Sequence, residues 1–125
     1  MKAVYLAGRI ENNPNKNHWR NEVTRKLVDT FKIYNPVLRE CGDIKQIVEG
    51  DKKDIICSDV VIVYLDDTPS WGTAMEILWA WQLRKDIVAI SKNKKINPWL
   101  DYHIKYVFPN IDQCVGYVKI LGEMK

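Results

Sequence analysis

The stretch Val60-Val61-Ile62-Val63-Tyr64-Leu65 contains only apolar and aromatic residues. A strand with one wet face would alternate polar and apolar positions. A short continuous apolar run is a strand buried on both faces, which needs helices above and below the sheet. The rest of the chain fits that demand. Ala3 to Ala7 is a second apolar run, ending at Gly8. Asn12 to Asn17, with Pro14, reads as a loop. Trp19, Val23, Leu27 and Val28 then recur at helical spacing. Phe31 to Tyr34 is a strand stopped by Asn35-Pro36. Ile44 to Cys57 is a helix weakened in its middle by Gly50. Thr73 to Arg84 is a helix, Ile87 to Ile90 a strand, and Ile104 to Phe108 another. A last helix runs from the Asn110 cap to about Leu121.

Strands alternating with helices predict an α/β fold. About five mainly parallel strands in this order predict a flavodoxin-like doubly wound sheet, in one domain spanning residues 1–125. Ligands of such sheets bind beyond the carboxyl ends of the strands, where the strand order reverses. Here that is between the first and third strands, next to Gly8-Arg9 and the segment from Asp66 to Gly72.

Composition narrows the function classes. The net charge is only +3, and the densest basic stretch, Lys92 to Lys95, reads as a solvated loop. No nucleic-acid partner is expected. Cys41, Cys57 and Cys114 are widely spaced, so they read as reduced buried thiols rather than a disulfide framework or zinc site. No apolar run reaches membrane-spanning length, no secretory signal is evident, and a cytoplasmic location is expected.

The segment Thr68 to Glu76 carries the most chemistry. Glu76 is the one charge between Asp67 and Arg84, in a helix that is otherwise apolar nearly all round. A carboxylate there is costly unless paired or used. Near a helix N-terminus the dipole favours its ionised form, which suits attack on an electrophilic carbon. The same spacing, Thr73 to Glu76, also reads as a capping box in which Glu76 bonds only to backbone. Asp51, Asp54, Asp59, Asp66 and Asp67 flank the third strand and are mostly solvated on position alone. Tyr5 reads as a core tyrosine with a bonded hydroxyl. Trp71 either stacks on a base or packs over the sheet end. Neither a GxGxxG nor a Walker loop is present. His18 and His103 read as structural or surface groups.

These residues resemble those of nucleoside 2-deoxyribosyltransferases, including their shorter phage and bacterial relatives. The resemblance runs through Tyr5-Leu6-Ala7-Gly8, Asn35-Pro36, Val48 to Ile55, Ser58-Asp59 and Ser70 to Ile77, and weakly through Asn97 to His103. It implies that Glu76 is a nucleophile holding a covalent glycosyl intermediate. Asp51 would manage the proton of the base, and Tyr5 would orient the nucleophile. Gly8, Arg9, Ser70, Trp71 and Gly72 would bind substrate. The partners implied are a nucleoside or nucleotide and a free nucleobase, with no cofactor and no metal.

Relatives of this kind are oligomers in which a neighbour completes the site; Tyr102 and His103 are the candidates for that contribution. The transferases commonly carry an aspartate six residues before the nucleophile, where this chain has Ser70. A serine there resembles the relatives that hydrolyse nucleoside 5′-monophosphates. Deoxyribosyl transfer is the leading expectation, monophosphate hydrolysis the second, and a nucleotide-binding sensor without turnover the third.

Overall fold

The computed structural model describes residues 1–39, 42–93 and 95–124. Cys41 and Lys94 lie outside the described residues. Five strands, β1 (Ala3–Gly8), β2 (Lys32–Tyr34), β3 (Val60–Leu65), β4 (Asp86–Ser91) and β5 (Tyr106–Phe108), alternate with five helices. These are α1 (His18–Leu27), α2 (Ile44–Ile56), α3 (Trp71–Gln82), α4 (Pro98–His103) and α5 (Ile111–Glu123), with a 3-10 turn at Pro36–Arg39. The strands form one parallel sheet in the order β2-β1-β3-β4-β5. This is the doubly wound α/β sheet expected, with the order reversing between β1 and β3.

Strand periodicity of two divides the core. Val4, Leu6, Val60, Ile62, Val88 and Ile90 face α1 and α5. Tyr5, Ala7, Val61, Val63, Ile87 and Ala89 face the other way, onto Ile55 of α2 and onto Ile77 and Ala80 of α3. Burying one such aliphatic side chain stabilises by about 1.5–3 kcal/mol, so each layer contributes far more than any single polar contact. Tyr5 therefore lies on the α2–α3 side of the sheet, which decides where its hydroxyl can reach. Gly8 ends β1 opposite Tyr64. A Cβ there would sit 2.9 Å from the Trp19 indole, so packing room, not a special backbone angle, requires glycine.

Three details depart from the sequence reading. α3 starts two residues before Thr73, because Ser70 caps it. It ends at Gln82, and Arg84 takes a positive φ of 60° to turn the chain into β4. α4, Pro98–His103, has no counterpart in the sequence reading. Cys57 is exposed rather than buried, because it is the C-cap of α2, whereas Cys114 is buried. Burial pushes the Cys114 thiol up to about 12. Among the described residues, no helix is long and apolar enough to cross a membrane.

Candidate active site

Tyr5 is fully buried, and its hydroxyl donates a hydrogen bond to Glu76 Oε2. Glu76 stands in the second turn of α3, one turn beyond Gly72 on the same face. Ser70, extended at φ −135° and ψ 117°, begins the helix, and its hydroxyl oxygen accepts from the Thr73 amide at 3.2 Å. This overturns the capping-box reading of Thr73 and Glu76: the cap lies three residues earlier, and Glu76 is directed at Tyr5.

The expectation that the helix dipole keeps Glu76 ionised also needs correction. Removal from water dominates and raises its pKa to about 7. The Tyr5 hydrogen bond and the Arg20 cation pull it down, while the Asp51 charge pushes it up. Burial first, then the charges of Glu76 and Asp51, hold the Tyr5 hydroxyl far above the phenol range, so it remains a donor.

Asp51 comes from α2, close enough for its charge to act on both Tyr5 and Glu76. Burial raises its own pKa and Arg39 lowers it. Arg39 Nη1 lies 2.8 Å from Asp51 Oδ1 and 2.8 Å from Asp54 Oδ2. Behind the group, the buried Arg20 donates from Nη2 to the carbonyls of Leu6 and Gly8, which fastens a cation to the end of β1. Neither arginine was singled out from the sequence. A glycine in the middle of an otherwise good helix, Gly50, was the available hint for Arg39.

The structure divides six of the expected site residues into two groups, and Gly8 and Gly72 do not line the cavity of the second. Tyr5, Asp51 and Glu76 gather between β1, α2 and α3. Arg9, Ser70 and Trp71 instead line a cavity of about 600 Å³ at the carboxyl ends of β3 and β4, together with Asp66, Asp67 and Trp99. No member of the carboxylate–tyrosine group lines that cavity. The cavity accommodates a nucleoside-sized molecule. Arg9 is paired with Asp66 at 2.9 Å and also donates to the carbonyls of Glu11 and Asn12, so its charge is largely offset. Trp71 is 86% exposed, so it does not pack over the sheet end. A Cβ at Gly72 would meet nothing within 4 Å. Nothing in the chain itself requires glycine there, and the helix backbone is bare beside Glu76. Among the described residues, no three His, Cys, Asp or Glu side chains gather to hold a metal ion.

Comparison with known proteins adds to this geometry. A search of curated proteins finds no sequence match. Three solved structures share the fold at low identity. A 2-deoxyribosyltransferase from Bacillus psychrosaccharolyticus is 20% identical with a TM-score of 0.80, over 98% of this chain and 97% of that one. One from Leishmania mexicana is 19% identical with a TM-score of 0.76, over 94% and 96%. A CMP N-glycosidase from Clostridium botulinum is 18% identical with a TM-score of 0.71, over 95% and 99%. The family profile for nucleoside 2-deoxyribosyltransferase matches residues 4–114, which include all of β1 but its first residue and the whole of α2 and α3. The chain thus belongs to the nucleoside 2-deoxyribosyltransferase family.

Proposed function

We propose that this protein cleaves the N-glycosidic bond of a deoxynucleoside through a glycosyl ester on Glu76 and transfers the deoxyribosyl group to a second nucleobase. The observation that carries this reading is the Tyr5 hydroxyl bonded to the Glu76 carboxylate, within charge range of Asp51. In the first step a Glu76 oxygen bonds to the anomeric carbon as the carbon–nitrogen bond breaks. The electron pair leaves with the base, which takes a proton from Asp51. In the second step an incoming base attacks the anomeric carbon, returns a proton to Asp51 and releases Glu76. Two displacements replace one, as in a retaining glycosidase. Tyr5 holds the carboxylate in line before attack. No cofactor enters either step.

The decisive experiment is intact-protein mass spectrometry after mixing with a deoxynucleoside. A deoxyribosyl adduct that a free base discharges, and that Glu76→Gln abolishes, supports the reading. Turnover by Glu76→Gln at the parent rate would end it.

A second reading is hydrolysis of a nucleoside 5′-monophosphate, and Ser70 favours it. Ser70 accepts from Thr73, which leaves its hydroxyl proton available at the N-terminus of α3, beside the cavity that Arg9 also lines. Helix N-termini suit phosphate.

The reading extends to a pair of chains. Trp71, Met75 and Leu78 form an exposed stripe along α3, continued by Trp81, Trp99 and Tyr102. At their exposures these side chains offer on the order of 600–700 Å², close to the roughly 800 Å² per partner of a stable dimer. None of the six carries a charge, so two copies can meet across a two-fold axis without repulsion. Leu78→Glu is expected to convert a dimer to a monomer in light scattering; a parent that is already monomeric at high concentration overturns this part.

A further inference from the structure

Arg39 closes the 3-10 turn after β2 and reaches α2 across Gly50. A Cβ at Gly50 would lie 2.7 Å from Arg39 Cδ and 2.8 Å from its Cζ, and nearer still to Nε. Any other residue at position 50 would push the guanidinium from its seat. Glycine within a helix is unfavourable relative to alanine, so the gap has a cost that only the seated arginine explains here. The two carboxylates it bridges, Asp51 and Asp54, have side chains only 13% exposed.

Every element around Asp51 presents a charged or titratable group. Tyr5 faces it from β1, Glu76 from α3, Arg20 from α1, Asp54 from α2 itself, and Arg39 from the 3-10 turn. Arg39 donates to the carboxylate from Nη1 at 2.8 Å. Glu76 and Asp54 are further carboxyl groups beside it, while the Tyr5 hydroxyl remains a neutral donor. Burial raises the Asp51 pKa, and Arg39 pulls it down while holding the carboxylate in one orientation.

We propose that Arg39, seated in the gap at Gly50, is a positioning residue that acts through Asp51, aiming its carboxylate toward Tyr5 and Glu76 and setting how readily it gives and takes the proton of the nucleobase. The inference rests on the reading of Asp51 given above. Arg39 pairs with both Asp51 and Asp54, and its effect on rate passes through Asp51.

Two variants test this. Arg39→Met removes the cation. Gly50→Ala keeps it but fills its seat, in a substitution that favours the helix. Both are expected to lower kcat/KM about tenfold or more for substrates with poor leaving bases. Both are also expected to raise the Asp51 titration, followed by carbon-detected NMR of its carboxyl group. Arg39→Lys should restore part of both. In an Asp51→Asn background, Arg39→Met should cost almost nothing further. Full additivity in that double variant, or an unmoved Asp51 titration in folded Gly50→Ala, overturns the inference. Should Arg39→Met fail to fold, Gly50→Ala alone decides. Should Asp51→Asn itself leave turnover intact, the reading of Asp51 falls first, which separates the two failures.

Discussion

The Tyr5 hydroxyl and the Glu76 carboxylate meet across 71 residues of sequence, one supplied by the first strand and the other by the third helix. Their contact exists because β1 lies beside β3, and α3 follows β3 directly. It places a permanent donor against a carboxylate that burial has made reluctant to ionise.

Glu76 should therefore limit activity from the acid side. With an activated substrate whose base leaves without a proton, kcat/KM is expected to climb as pH rises through about 7 and then level. A flat profile from pH 5 to 9 would contradict the assignment.

The same carboxylate should weaken the fold at high pH. Its folded pKa, about 7, is above its ordinary 4.5, so the folded state binds the proton more tightly. Stability from this group is fully present below about 4.5, is lost as pH rises through 7, and stays lost above. Glu76→Gln should then gain on the order of 3 kcal/mol over the parent at pH 8, and almost nothing at pH 4. Paired thermal melts at the two pH values give the comparison; equal gains would show that burial does not oppose the charge.

Asp51→Asn is expected to slow turnover by about 10² to 10⁴ for ordinary bases and much less for bases that leave readily. Equal losses across a leaving-group series would leave Asp51 with a binding or structural role only.

Gly72→Ala should fold at least as well as the parent, because its methyl group meets open space. Activity should nevertheless fall, by tenfold or more, if the sugar lies against bare backbone beside Glu76. Unchanged kcat/KM would place the sugar elsewhere.

Ser70 separates the two substrate classes. If its hydroxyl and the α3 amides hold phosphate, the 5′-monophosphate should be preferred over the nucleoside by roughly tenfold to a hundredfold. Ser70→Asp keeps a good N-cap, so the helix start survives, but it repels phosphate and should reverse the order. A parent that prefers the free nucleoside, with a ratio unmoved by Ser70→Asp, leaves transfer as the sole reading.

How far the sequence carried this differs by element. β3 could be read to the residue, since six apolar positions in a row leave no other burial pattern. α3 was read two residues late because Thr73 and Glu76 imitate a capping box, and only the backbone at Ser70 shows which hydroxyl accepts the amide. The six residues of α4 are too few to show a period, although Asn97 before Pro98 is a start signal in retrospect. Arg39 was out of reach, because its seat is a space between two elements, and spaces leave no letter except a glycine.

The division of the site by α3 has a consequence for how such an enzyme can change. Tyr5 and Asp51 sit inside regular elements, where a substitution disturbs the sheet or a helix. Among the described residues the cavity walls are mostly loop, from Asp66 to Ser70 and at Asn93, Lys95, Ile96 and Asn97. Loop residues can be exchanged at small cost to folding. On the function proposed above, selection, natural or in the laboratory, can thus alter which molecule is chosen while leaving Tyr5, Asp51 and Glu76 alone. Libraries confined to those two loops should yield folded proteins with new preferences far more often than libraries around Tyr5.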